Sequence, residues 1–258
     1  MKVVNKSTVE LIDHMGNDIT VVNAARVSFD KTSDYRVIGW KETIEDDGSV
    51  TQEPIKQLKE GDERLINYLA ANGHWSPFAH TAIQLRLSSP IFVARQLVKH
   101  QVGLVWNEVS RRYVDNEPEF YYPTEWRKRA ENKKQGSSNE TVSVWEDHSD
   151  GSAEDIPYDA MWVAMEAYQR MLDKGVAPEQ TRMILPQNMM TSWYWTGSLM
   201  AFYRVWKERT NAHAQLETQE VAKQIGTICE QLFPVSWAAL KGEDRRLHSN
   251  LTAAGSDR

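Results

Sequence analysis

The segment AIQLRLSSPIFVARQLVKHQ, residues 82–101, changes its apolar period in mid-course, and this commits the chain to mixing strand with helix. Ile83, Leu85 and Leu87 alternate with Gln84, Arg86 and Ser88, the period of a half-buried strand. Pro90 follows, a favoured opening residue for a helix. Beyond it Gln96 and His100, and Arg95 and Lys99, lie four apart and so share helix faces. Gly103 is the predicted stop.

The rest of the chain continues the mixture. Residues 9–29, VELIDHMGNDITVVNAARVSF, predict a strand, a turn at residues 15–18, then a strand or short helix. Leu65, Ile66 and Leu69 predict a helix with Gly73 at its end. A helix is predicted over 157–174, with Met161, Trp162, Met165, Tyr168 and Leu172 as its apolar stripe and Gly175 closing it. Pro178 heads another short helix. SWYWTGSLMAFYRVWKERT, residues 192–210, reads as one long aromatic helix, and residues 212–233 as a further one. Residues 31–62 read as a polar surface insertion, a candidate hairpin with a turn signal at Asp46-Asp47-Gly48. Residues 128–155, poor in large apolar residues, read as an exposed loop. This order predicts a single α/β or α+β domain over residues 1–258, with insertions at about 31–62 and 128–155 and a helix-rich second half.

Bulk properties narrow the function. Net charge is -6 over 258 residues, against a role in nucleic-acid binding, which phosphate neutralisation drives. One cysteine, Cys229, rules out an internal disulfide framework and fits a reducing cytoplasm. It lies at helical spacing with Ile225, Ile228 and Leu232, the pattern of a core thiol rather than a nucleophile. No apolar leader and no 18-residue apolar run predict a soluble, unexported protein. No HxxxH or CxxC predicts a metal, and no GxGxxG, Walker glycine loop or GxSxG elbow is present.

What remains is KHQVGLVWNEVSRRY, residues 99–113. Ser110 with Arg111 and Arg112 offers the hydroxyl and guanidinium forks that a phosphate takes. Glu108, ionised beside so much positive charge, accepts hydrogen bonds. Val105 and Trp106 are expected to dry the site and strengthen those contacts. The stretch predicts a pocket wall for an anionic, hydrogen-bonding ligand such as a nucleotide. Arg182 and Arg209 are further cationic candidates.

These residues resemble the flavin-dependent thymidylate synthases, the ThyX family. MGNDITVVNAARVSFD, NGHWSPFAH, PIFVARQLVKHQ followed by NEVSRRY, RMILP, and RTNAHAQLETQ are similar to family segments and stand in the same order. The signature departs from the usual Arg-His-Arg, seven residues, serine: here it is Lys99-His100-Gln101, eight residues, Ser110. Lys99 keeps the charge without the planar fork, and Gln101 loses it. Met200 stands where many relatives have an arginine, with Arg204 one turn on.

The resemblance implies a mixed β-sheet flanked by helices, in a homotetramer with active sites shared between subunits. It implies methylation of dUMP to dTMP, with 5,10-methylenetetrahydrofolate as carbon donor and FAD reduced by NADPH. It implies that Gln96, Lys99, Glu108, Ser110, Arg111, Arg112, Arg182 and Arg209 bind dUMP, with Arg209 catalytic. Ser76, Lys99, His100, Gln101, Glu108, Ser198, Arg204 and His213 would line FAD. His74 is a folate-side or structural group. Trp106, Tyr194 and Trp195 are candidates to stack on a ring or to lie in the core. The altered signature leaves two alternatives: an enzyme that hydroxymethylates a pyrimidine nucleotide, or a nucleotide-binding relative without catalysis.

Overall fold

The computed structural model describes residues 1–44, 49–114, 116–131, 136–149 and 152–242. The strands are β1 (Lys2–Val4), β2 (Thr8–Met15), β3 (Arg36–Ile44), β4 (Val50–Gln57), β5 (Ala82–Pro90) and β6 (Leu104–Glu108). Then come β7 (Glu119–Tyr121), β8 (Arg127–Arg129), β9 (Ser137–Thr141), β10 (Trp145–Asp147), β11 (Ala153–Asp155) and β12 (Met190–Gly197). The α-helices are α1 (Asp18–Arg26), α2 (Glu60–Ala71), α3 (Ile91–Leu97), α4 (Ile156–Asp173), α5 (Pro178–Thr181), α6 (Leu199–Arg209), α7 (Leu216–Leu232) and α8 (Pro234–Lys241). The α/β class stands as the sequence predicts.

The chain forms two compact units, each discontinuous in sequence. The first comprises Met1–Ile12, Gln84–Thr196 and Arg204–Ile225; the second Asp13–Ile83, Gly197–Tyr203 and Gly226–Arg258.

In the first unit the main sheet has the order β2-β5-β12-β6. Leu85 and Leu87 are fully buried and Arg86 is exposed, so β5 follows its predicted alternation. Residues 192–210, in contrast, are not one helix. Residues 192–197 complete β12, whose buried Trp193 and Trp195 flank a 44% exposed Tyr194. Period two wins there because the strand sits between two neighbours and buries one face. Ser198 follows it, and its Oγ accepts from the Ala201 N–H at 3.3 Å, capping the new helix.

Helix α3 also stops earlier than its sequence predicts, at Leu97. The Gln96 carbonyl, which a continuing helix would give to the His100 N–H, accepts instead from Arg209 Nη2 at 3.1 Å. The His100 N–H turns to the Leu97 carbonyl at 3.0 Å. A tight turn then leads into β6: Leu104 N–H donates to the Gln101 carbonyl at 3.3 Å, and Gly103 takes φ +73°. That conformation favours glycine.

Residues 128–155 are not an unstructured loop. Antiparallel pairs β8–β9 and β10–β11 occupy most of their described part. The pairs close through backbone hydrogen bonds and polar links such as Lys128 to Glu140 at 2.9 Å, which an apolar pattern cannot signal. Asp155 caps α4 by accepting from the Tyr158 N–H at 3.2 Å.

In the second unit α1, α2 and α8 pack around Val21, Val22, Ile66, Phe78 and Trp237, all essentially buried. Asp18 caps α8, accepting from the backbone N–H groups of Val235 (3.0 Å) and Ser236 (2.8 Å). Arg26 Nε donates to Asp62 at 3.0 Å and ties α1 to α2. The insertion at 31–62 does carry an antiparallel hairpin, β3 with β4. Its turn signal at Asp46-Asp47-Gly48 lies outside the described residues. Cys229 is fully buried, and burial pushes its thiol pKa well up, so it is the core thiol that its spacing predicts.

Candidate active site

Two cavities of the first unit collect most of the candidate nucleotide-binding residues. The first, about 580 Å³, is lined by Gln96, Glu208, Arg209, His213 and Gln215 among others. Arg209 closes α6 and is fixed at two points. Its Nε donates to His100 Nε2 at 2.9 Å, and its Nη2 to the Gln96 carbonyl at 3.1 Å. Its Nη1 makes no hydrogen bond among the described residues. The Gln96 side chain is held in turn: its Nε2 donates to Gln215 Oε1 at 2.7 Å, and its Oε1 accepts from Thr218 Oγ1 at 3.2 Å. The early end of α3 thus builds the mount for Arg209.

To accept from Arg209, His100 must carry no proton on Nε2. Burial holds its pKa below the usual histidine value; the Arg209 charge acts in the same direction, and Glu208 opposes them.

The second cavity, about 620 Å³, includes Glu108, Arg111 and Arg182 in its wall. Both Glu108 oxygens are engaged: Oε1 by Thr191 Oγ1 at 2.8 Å, Oε2 by Trp106 Nε1 at 3.1 Å. Trp106 stacks on Trp193 with ring centroids 4.2 Å apart, and meets Trp195 edge-on. Of the ring-stacking candidates, Trp106 and Trp195 therefore serve the packing of β6 on β12. Val105, 66% exposed, dries nothing, because strand alternation turns it away from Trp106.

Arg111 is held by the Asn116 carbonyl and, at 3.2 Å, by Asn116 Oδ1. The Ser110 hydroxyl accepts from the Arg112 N–H at 3.3 Å and Arg112 Nε at 3.4 Å. These partners make it a turn-forming group, and neither can act as a base. The Arg112 guanidinium lies 4.9 Å over the Tyr113 ring.

Lys99, Gln101 and Arg204 are exposed and line neither cavity. Ser76, also exposed, and Ser198 belong to the second unit. Met200 is 8% exposed, a core residue. Thr191, Thr218 and Gln215 support these candidates, though sequence reading assigned them no role. Gln215 and Thr218 both lie in RTNAHAQLETQ, whereas Thr191 carried no signal.

Comparison with known proteins gives this arrangement a context. Residues 10–235 match the family described as thymidylate synthase complementing protein. The chain is 34% identical to the flavin-dependent thymidylate synthase of Thermus thermophilus over 239 residues, 93% of this chain and 77% of that one. It is likewise 34% identical to the enzyme of that name from Kosmotoga olearia, over 93% of this chain and 92% of that one. Among solved structures, the UMP/dUMP methylase PolB from Streptomyces cacaoi bound with 5-Br dUMP superposes with a TM-score of 0.72. It has 29% identity and covers 94% of this chain and 97% of its own. The same methylase bound with 5-Br UMP gives 0.70. The chain belongs to the flavin-dependent thymidylate synthase family, a family of enzymes.

Proposed function

We propose that this protein methylates dUMP to dTMP. In this proposal 5,10-methylenetetrahydrofolate gives the carbon, and FAD reduced by NADPH supplies the hydride. The observation that carries it is Arg209, a permanent cation fixed by His100 and the Gln96 carbonyl at a cavity wall, in a chain of this family.

We assign Gln96, Lys99, Glu108, Ser110, Arg111, Arg112, Arg182 and Arg209 to dUMP. Arg209 Nη1 faces the uracil and opposes negative charge as the ring is activated. Arg111, Arg112 and the Ser110 hydroxyl meet the phosphate. We also assign residues to FAD. Exposed Lys99 and Arg204 offer charge to its diphosphate, and His213, at the Arg209 cavity, together with His100, Gln101, Glu108, Ser76 and Ser198 completes the set. We propose a homotetramer with shared active sites, a single functional domain over residues 1–258, working in the cytoplasm. No described helix is long and apolar enough to cross a membrane.

The test is a spectrum of the purified protein with FAD, then anaerobically with NADPH, folate and dUMP. Flavin bands that bleach and return as dTMP forms support the proposal. A protein that never takes up FAD overturns it.

One observation favours a broader substrate. The neighbouring methylase is bound to 5-Br UMP as well as to 5-Br dUMP. UMP offered beside dUMP decides whether this chain also accepts the ribonucleotide.

A further inference from the structure

Gln96 lines the Arg209 cavity and is only partly buried. The neighbours of its side-chain amide decide which end a ligand meets. Nε2 donates to Gln215 Oε1 at 2.7 Å and, over a longer distance, to the Phe92 carbonyl at 3.4 Å. Oε1 accepts from the Thr218 hydroxyl at 3.2 Å.

Gln215 and Thr218 would satisfy this amide turned over as well, because a glutamine amide and a hydroxyl each both donate and accept. The Phe92 carbonyl would not. It only accepts, so a turned amide would set its oxygen against that carbonyl oxygen with no hydrogen between them. The amide is held in one sense. Both Nε2 hydrogens are spent on the protein, and the capacity left over is a lone pair on Oε1. Gln96 thus meets a ligand as an acceptor.

The two residues that clamp it are fixed in their turn. Gln215 opens α7: its carbonyl accepts from the backbone N–H groups of Thr218 at 3.0 Å and Gln219 at 2.9 Å. Thr218, in the first turn of α7, is fully buried. The Gln96 carbonyl meanwhile accepts from Arg209 Nη2. One residue therefore sets both the place of a guanidinium and the sense of an amide at the same cavity.

We propose that Thr218 and Gln215 are positioning residues that hold the Gln96 amide as an acceptor for the substrate base, and so make the site prefer uracil to cytosine. Uracil carries an N–H at N3, which Oε1 accepts. Cytosine carries a lone pair at N3, so two acceptors would face each other. The inference rests on the reading of dUMP as the substrate.

Calorimetric titration of the full chain with dUMP and, separately, with dCMP, FAD being present throughout, tests it. The unaltered protein is expected to bind dUMP at least about tenfold more tightly than dCMP. Thr218→Val removes the donor to Oε1, and Gln215→Leu removes the acceptor of Nε2. Each is expected to cut that ratio at least about threefold, by weakening dUMP and strengthening dCMP as the amide gains freedom to turn. Thr218→Ser, which keeps the hydroxyl, is expected to keep the ratio. A purely structural role would weaken both nucleotides alike. Gln215→Leu, at a partly exposed wall position, serves alone if Thr218→Val does not fold. Equal binding of dUMP and dCMP by the unaltered protein overturns the inference, as do folded variants that keep its ratio. Absence of dUMP binding overturns this inference and the methylation proposal together. The expected shifts in binding, with no dTMP formed on full turnover, overturn the methylation proposal alone.

Discussion

His100 and Arg209 form the pair on which the candidate chemistry turns. Arg209 has no second proton state at working pH, so its contribution is position and charge. Arg209→Ala is expected to lower kcat by about a hundredfold or more, the usual loss for a preorganised charge-stabilising donor. Tritium release from dUMP labelled at carbon 5 measures it. His100 sets a pH limit on the same group. Its folded pKa lies below the usual histidine value of about 6.5, chiefly through burial and then through Arg209. The unfolded chain therefore takes up this proton before the folded chain does, so the contribution of neutral His100 is complete above about pH 6.5 and is lost as pH falls through the folded pKa. Protonation also removes the acceptor of Arg209 Nε. An acid limb in kcat is expected, and His100→Gln, which offers an amide oxygen without a titration, is expected to flatten it. A pH profile unchanged in that variant would separate His100 from the positioning of Arg209.

Elements explain why the site sits where it does, and why only part of it was legible. Strand β5 was readable because its period and the proline behind it are local. Strand β12 was not, because Trp193 and Trp195 run straight into the aromatics of α6, and only pairing in the sheet decides between the two periods. The strand pairs in 128–155 carry too little apolar pattern to announce themselves. Candidate residues within one short stretch, such as Glu108 to Arg112, were proposed from their neighbours. Thr191, Gln215 and Thr218 were not assigned, since they meet Glu108 and Gln96 across 83, 119 and 122 residues of chain. Two substitutions probe these element contacts. Trp106→Ala removes the stacking of β6 on Trp193 and is expected to cost about 2 kcal/mol. It also releases Glu108 Oε2, so the KM for dUMP should rise with it. Asp62→Ala leaves the partly buried Arg26 without its partner between α1 and α2 and is expected to cost about 3 kcal/mol. Chemical denaturation reads both. A loss under about 0.5 kcal/mol, the range of ordinary surface changes, would contradict either role.

Over the whole molecule, the fold and family were readable before any coordinate, because five motif-bearing segments stood in order along most of the chain. The altered signature is where sequence and structure speak differently. Lys99 and Gln101 stand exposed beyond α3, while His100, between them, turns inward to Arg209. The departures thus fall on the outward positions of the triplet, and the inward position keeps its histidine. The measurement that bears most directly on function is product analysis by mass after anaerobic incubation of the protein with dUMP, 5,10-methylenetetrahydrofolate, FAD and NADPH. dTMP, formed only when all four are present and lost in Arg209→Ala, is the expected result. A hydroxymethylated nucleotide, or unchanged dUMP from a protein that still binds it, would contradict methylation and favour a modifying or purely nucleotide-binding member of the family.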